Sequence, residues 1–127
     1  MSLRTQIIRL AAAYISRDIN RWKKNAVSDQ FKILHDLVKS GRKTVFGKDH
    51  HFDKIDTYDD FKKLVPVRDY EDLRPYIDRM TKGEKDILWP GRPRYFAKTS
   101  GTTSGVKYIP ITDDSMPNHI NTARNAM

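Results

Sequence analysis

Seven consecutive small residues, Thr99 to Gly105, are the part of this sequence best suited to chemistry. Each of them is Thr, Ser or Gly, and Lys107 follows shortly after. Glycine lets a backbone turn tightly and present its N–H groups to an anion, and hydroxyl groups add short hydrogen-bond donors. A lysine supplies a mobile positive charge. We therefore expect this Ser/Thr/Gly loop (residues 99–105) to bind phosphate groups.

All seven residues of the loop are predicted to bind phosphate. The predicted phosphate-binding residues are Thr99, Ser100, Gly101, Thr102, Thr103, Ser104 and Gly105, with Lys107 as the catalytic cation. The alternative is an ordinary turn, because Ser, Thr and Gly are common turn residues. Tight structural hairpins, however, prefer two to five loop residues with Asn-Gly or Asp-Gly at the tip. The loop matches neither the GxxxxGK[ST] pattern nor the GxGxxG pattern.

Two short apolar segments must position the loop. Residues 95–98 and 107–112 are predicted strands, so the loop would join them as a β-hairpin over 95–112. Residues 113–127 then read as the start of a helix that the sequence cuts off, with Thr112 or Ser115 as its cap.

The residues before the hairpin are predicted to be mainly helical. Apolar residues spaced three or four apart indicate one helix over 3–24 and a second from Ser28 or Asp29 to Ser40. Together they predict a basic helical hairpin within 1–48. Its second helix would bury Phe31, Leu34, Leu37 and Val38.

Short helices and loops are expected over 49–94. Thr57 is predicted to open one helix through a capping box, and Asp69 to cap the next, over 70–82. Pro75 is expected to force a break or a fresh start in that helix, and Lys82-Gly83 to end it.

Composition limits the classes of protein. The 127 residues suffice for one domain with a modest core, and the absence of cysteine excludes a disulfide framework and Cys-based sites. No apolar run is long enough for a transmembrane helix, and we expect a cytoplasmic location.

The net charge of +8 lies entirely within residues 1–48, which hold eleven basic and three acidic residues. Such a face could bind nucleic acid or an acidic membrane surface. A solvated helical surface is the simpler interpretation, and we expect no nucleic-acid partner.

Adjacent histidines at His50 and His51, with Asp49 and Asp53, are a conceivable metal site. No third ligand is convincingly placed, so no metal-binding residue is predicted.

Four motifs carry a resemblance to a known family. The loop with Lys107 resembles the phosphate-binding loop of the acyl-adenylate-forming superfamily, which often has TSGTTG, two further residues and a lysine. Ser104-Gly105-Val106 departs from this superfamily pattern but matches the pattern of a narrower family. The chain is similar to the acyl-acid amido synthetases of the auxin-responsive promoter family in its segments 44–47 (T-x-FG), 61–77 (F-x-x-x-VPV-x-x-Y-x-x-L-x-P-Y-I), 83–91 (G-x-x-x-x-L-W-P-G) and 95–112 (YF-x-x-TSGTTSG-x-KYIP-x-T).

This resemblance implies an ATP-dependent ligase that activates a carboxylic acid as an acyl-adenylate and transfers it to an amine or amino acid. An acyl-CoA ligase of the same superfamily, or a small basic nucleic-acid or membrane-surface binding module, are the alternatives. The chain would be the N-terminal portion of a large α/β adenylating domain. By itself it would be mostly helical with one β-hairpin. The resemblance also implies that the Mg²⁺ ligand lies beyond residue 127 and that the 127 residues alone lack ligase activity.

Overall fold

The residues with a described structure are mostly helical and include a two-stranded antiparallel sheet. A computed structural model describes residues 3–100 and 105–125. The elements are α1 (Leu3–Gly41), α2 (Val45–Asp49), a 3₁₀ turn (Phe52–Lys54), α3 (Tyr58–Leu64), α4 (Tyr70–Thr81), β1 (Tyr95–Lys98), β2 (Tyr108–Ile111) and α5 (Met116–Asn125). The predicted fold class, helices with a single β-hairpin, is confirmed.

The chain divides into two compact units. The first ends at Asp36 and the second begins at Leu37. The described residues of the first unit are helical, and several of its apolar side chains are exposed, including Ile7, Leu10 and Tyr14. No helix in the described ranges combines the length and the apolar character needed to cross a membrane.

The predicted helical hairpin over 1–48 is wrong, because α1 runs without interruption from Leu3 to Gly41. Ser28 does not cap a second helix. Its Oγ instead donates a hydrogen bond to the carbonyl of Asn25, 2.9 Å away, a bond that a helix interior accommodates. No glycine or proline lies between residues 24 and 29 to break the helix. The expected buried face is also only partly present: Val38 is buried and Leu34 half-buried, but Phe31 and Leu37 are exposed.

The second unit has a small core built from several short elements. Aromatic side chains contribute to it, since Phe46 packs edge-to-face with Phe52 and Tyr76 at centroid distances of 5.9 and 5.4 Å. The buried apolar residues are Val38, Phe52, Ile55, Ile77, Met80 and Ile87.

The turn from α1 into α2 is closed by Thr44, which is 1% exposed. Its Oγ1 donates to the Gly41 carbonyl (2.7 Å) and accepts from the Gly47 N–H (3.0 Å). The N–H groups of Val45 and Phe46 donate to carbonyls of the segment 86–87, at 2.8 and 3.0 Å. A helix of five residues is too short to persist alone, so these bonds explain why α2 forms.

Side chains cap both α3 and α4. Thr57 and Asp60 form a reciprocal capping box at the start of α3, and Asp69 and Asp72 form another at the start of α4. Both predicted caps are confirmed.

Pro75 does not break α4, contrary to expectation. It removes one N–H, which would have bonded to the Glu71 carbonyl, while the buried Ile77 and Met80 after it continue to pack in the core. The helix ends as predicted, with Lys82 as its C-cap and Gly83 in the left-handed region (φ +88°).

Candidate functional site

The β-hairpin sets the register of the Ser/Thr/Gly loop. β1 pairs with β2 so that Phe96 lies opposite Pro110 and Lys98 opposite Tyr108. One position further, the Thr99 N–H donates to the Lys107 carbonyl (3.0 Å), and the Lys107 N–H donates to the Thr99 hydroxyl oxygen (3.3 Å). Thr99 and Lys107 therefore close the stem of the loop.

The described part of the loop is compatible with anion binding. Ser100 and Gly105 are exposed, and Gly105 has a φ of +80°, a conformation that favours glycine. The predicted residues Gly101, Thr102, Thr103 and Ser104 lie outside the described residues.

Lys107 is half-buried at the base of the loop. Its ammonium nitrogen lies 5.4 Å from the centroid of the Tyr70 ring, within the range of a cation–π interaction. Across residues 3–100 and 105–125, no carboxylate forms an ion pair with Lys107. A ring face leaves the ammonium donors available to a stronger, anionic acceptor.

Tyr70 is the neighbour of this site that sequence reasoning missed. It is the first residue of α4, and its hydroxyl oxygen accepts a hydrogen bond from the Tyr108 N–H, 2.8 Å away. The signal was available as the tyrosine of the VPV-x-x-Y motif, directly after the predicted cap Asp69. What the sequence could not give is the contact across 38 residues.

Arg94, which directly precedes β1, forms an ion pair with Asp113. Its guanidinium donates to the Asp113 carboxylate at 3.3 Å, and both side chains are exposed. The neighbouring Tyr95 side chain, followed by Asp113, raises the pKa of Arg94. The Trp89 indole N–H donates to Asp114 at 2.9 Å. These contacts join the segment before β1 to the residues before α5.

His50 is a buried structural residue, 5% exposed. Its Nδ1 lies 2.9 Å from the Leu64 carbonyl, and its Nε2 lies 3.3 Å from the Arg68 guanidinium. Because a guanidinium only donates, Nε2 must accept and Nδ1 must carry the proton. Within the described residues, no group of three or more His, Cys, Asp or Glu side chains is arranged to hold a metal ion.

Comparison with known proteins gives one family. A sequence model described as the GH3 family N-terminal domain matches residues 15–127. The chain is 32% identical over 96 residues to the 4-substituted benzoates-glutamate ligase GH3.12 of Arabidopsis thaliana, a match covering 74% of the chain and 16% of that relative.

Two further relatives match over shorter stretches. The chain is 47% identical over 62 residues to indole-3-acetic acid-amido synthetase GH3.15 of Arabidopsis thaliana, covering 47% of the chain and 10% of the relative. It is 38% identical over 58 residues to jasmonoyl--L-amino acid synthetase JAR6 of Nicotiana attenuata, covering 44% of the chain and 10% of the relative.

The chain thus spans only a small part of the length of these relatives, between 10% and 16%. The resemblance first seen in four motifs is nevertheless confirmed by matches over most of the chain. The chain belongs to the GH3 family and carries the residues of its N-terminal domain.

Proposed function

We propose that the protein containing this chain is an ATP-dependent acyl-acid amido synthetase. Its first step would activate a carboxylic acid as an acyl-adenylate, and its second would transfer the acyl group to an amine or amino acid. The names of its relatives support the reaction class, since they describe an indole-3-acetic acid-amido synthetase, a jasmonoyl-amino acid synthetase and a 4-substituted benzoates-glutamate ligase. The acid and the amine acceptor would be small molecules.

The observation that carries the proposal is the closed stem of the loop. Thr99 and Lys107 hydrogen-bond to each other, so the two ends of the loop are held side by side. Lys107 therefore lies at the base of the loop. Backbone amides, hydroxyl groups and one ammonium are a donor set that suits the phosphates of ATP. The Thr99 hydroxyl oxygen accepts the Lys107 N–H, and its own proton remains available for donation.

The proposed chemistry needs this donor set in the first step. A carboxylate oxygen of the acid attacks the α-phosphorus of ATP, the bond from that phosphorus to the bridging oxygen breaks, and pyrophosphate leaves. Negative charge grows on the departing pyrophosphate, where Lys107 and the loop donors would offset it. In the second step the amine nitrogen attacks the acyl carbon, AMP leaves, and the nitrogen loses a proton.

The described residues contain no cluster of three or more His, Cys, Asp or Glu side chains that could hold a metal ion. We place the magnesium ligand beyond residue 127 and assign no step to the metal here. The chain contains no cysteine, and the proposal includes a cytoplasmic location.

ATP–pyrophosphate exchange in the full-length protein tests the assignment. The assay would use indole-3-acetate, jasmonate and a 4-substituted benzoate as candidate acids. Removing one preorganised donor typically costs about 10²-fold in rate, so we expect losses of that order in Thr103→Ala and Lys107→Ala. Unchanged exchange in both variants would remove the role of the loop.

Lys98→Ala is the matched control. Lys98 pairs with Tyr108 and Thr99 with Lys107, so the Lys98 and Lys107 side chains lie on opposite faces of the same hairpin. Exchange should stay within about twofold of the unmodified protein, because the Lys98 side chain lies on the face opposite Lys107. Offering amino acids and free CoA separately then distinguishes an amido synthetase from an acyl-CoA ligase by the product formed.

A further inference from the structure

The pairing of the hairpin leaves one amide of β2 pointing away from β1. Hydrogen-bonded and non-hydrogen-bonded pairs alternate along an antiparallel ladder. Thr99 donates to Lys107, so this pair is hydrogen-bonded and the next pair, Lys98 with Tyr108, is not. The N–H of Tyr108, the residue that follows Lys107, therefore faces away from β1. It donates a hydrogen bond to the Tyr70 hydroxyl oxygen, 2.8 Å away.

The ring of the same tyrosine faces two cations. The Lys107 ammonium lies 5.4 Å from its centroid, and the Arg74 guanidinium carbon lies 5.8 Å from it. Arg74 is paired with Glu71 at 3.0 Å, one turn earlier on the same helix. The ammonium of Lys107, in contrast, contacts the Tyr70 ring at the base of the loop. Tyr70 thus holds the backbone on one side of Lys107 and the ammonium of Lys107 itself.

Tyr70 is itself held firmly. It is the first residue of α4, directly after Asp69, whose side chain accepts the Asp72 N–H at 3.0 Å. The same helix buries Ile77 and Met80 in the core of the second unit. Because the start of α4 is capped and the helix is packed in the core, the Tyr70 side chain can hold the hairpin in a fixed position.

We propose that Tyr70 is a positioning residue that holds Lys107 and the stem of the Ser/Thr/Gly loop in place for the phosphates of ATP. The inference rests on the proposed function. Its physical basis is preorganisation: a lysine already restrained beside the site loses less rotamer freedom when phosphate binds. The hydroxyl fixes the backbone of the stem, and the ring restrains the ammonium, so the two contributions can be separated by substitution.

The test uses the full-length protein with Tyr70→Phe and Tyr70→Leu. Tyr70→Phe removes the acceptor of the Tyr108 N–H but keeps the ring, and we expect kcat/KM for ATP in pyrophosphate exchange to fall about fivefold. Tyr70→Leu also removes the ring face, and we expect a further loss of roughly threefold. The KM for the carboxylic acid should stay unchanged in both variants, whereas a loss of correctly folded protein would lower kcat and leave both KM values unchanged.

Tyr58→Phe is the matched control. Tyr58 is also the first residue of a capped helix, α3, and carries a lysine ammonium 5.0 Å from its ring, that of Lys62 on its own helix. Its exchange kinetics should equal those of the unmodified protein. Hydrogen–deuterium exchange gives a readout independent of activity: the peptide containing Tyr108 should exchange faster in Tyr70→Phe than in Tyr58→Phe.

The outcomes separate the two proposals. If the unmodified protein catalyses no exchange with any acid offered, the proposed function fails, and the inference about Tyr70 fails with it. If the unmodified protein is active and Tyr70→Phe matches it in KM for ATP and in kcat, the inference about Tyr70 alone is overturned. Unaltered deuterium exchange at Tyr108 in Tyr70→Phe also overturns it. Slower turnover with a raised KM for ATP and faster deuterium exchange supports it.

Discussion

A methyl group added at Gly47 should destabilise the protein severely. A Cβ at this position would lie 2.1 Å from the Gly41 carbonyl oxygen and 2.9 Å from the carbonyl carbon. Neither atom can yield easily, because the Gly41 oxygen accepts hydrogen bonds from the Thr44 N–H (3.0 Å) and the Thr44 hydroxyl (2.7 Å). The backbone of α2 must move away from the end of α1.

The size of the effect follows from what that movement breaks. Loss of two hydrogen bonds costs about 1 kcal/mol each, and overpacking adds about 1–3 kcal/mol. We therefore expect Gly47→Ala to lower the free energy of unfolding by about 3–5 kcal/mol, a large fraction of the roughly 5–15 kcal/mol that a domain possesses. Helix propensity alone predicts the opposite sign, because alanine is the better helix former by about 1 kcal/mol.

Urea unfolding followed by circular dichroism measures the difference. With a typical dependence on urea, the midpoint for Gly47→Ala should fall by roughly 2 M. Gly83→Ala is the control: a Cβ there meets nothing within 4 Å, but φ is +88°, so only the left-handed conformation carries a cost, about 1 kcal/mol. If Gly47→Ala is no less stable than Gly83→Ala, the steric argument is refuted.

Two further changes test the capping groups. Thr44→Ala should cost about 2–3 kcal/mol in urea unfolding, because it leaves a buried N–H and a carbonyl without their hydroxyl partner, and Thr44→Ser should cost only about 1 kcal/mol for the lost methyl. The Asp60 carboxylate has a pKa below its ordinary 3.8, chiefly because the Thr57 hydroxyl and then the Thr57 N–H donate to it. Its contribution is therefore complete above that ordinary pKa and is lost as the pH falls through the lowered value. The urea midpoints of the unmodified protein and Asp60→Asn, measured from pH 7 to 3, should converge on acidification.

Each of these has a result that contradicts it. Equal stability of Thr44→Ala and Thr44→Ser would mean that the hydroxyl contributes nothing to the turn. A difference between Asp60→Asn and the unmodified protein that stays constant from pH 7 to 3 would mean that the charge of Asp60 does not support α3.

Local signals in the sequence predicted local structure well. The caps at Thr57 and Asp69 and the glycine after α4 depend on neighbours within four residues, and the structure has them where they were predicted. The first strand of the β-hairpin was predicted with its observed bounds, and the second to within one residue at each end. Two short apolar segments on either side of a run of turn residues made this possible.

The errors came from contacts that a local pattern does not contain. Ser28 resembles a helix cap, but its hydroxyl bonds back to Asn25 inside α1. α2 depends on carbonyls of the segment 86–87, about 40 residues away in sequence. Tyr70 reaches Tyr108 across a similar separation. Thus the site residues named from the sequence stay a prediction, while the contact of Tyr70 with Lys107 could not be predicted from a local pattern.

Pro110 gives the hairpin a preferred direction for sheet growth. It lies opposite Phe96, in the same kind of non-hydrogen-bonded pair as Tyr108, so its nitrogen faces away from β1 and carries no hydrogen to donate. With the Tyr108 amide taken by Tyr70, a strand approaching β2 from outside would gain no amide donor from either position. The corresponding amides of β1, at Phe96 and Lys98, face outward by the same alternation. Any enlargement of this two-stranded sheet should therefore add its next strand beside β1, while β2 remains the boundary.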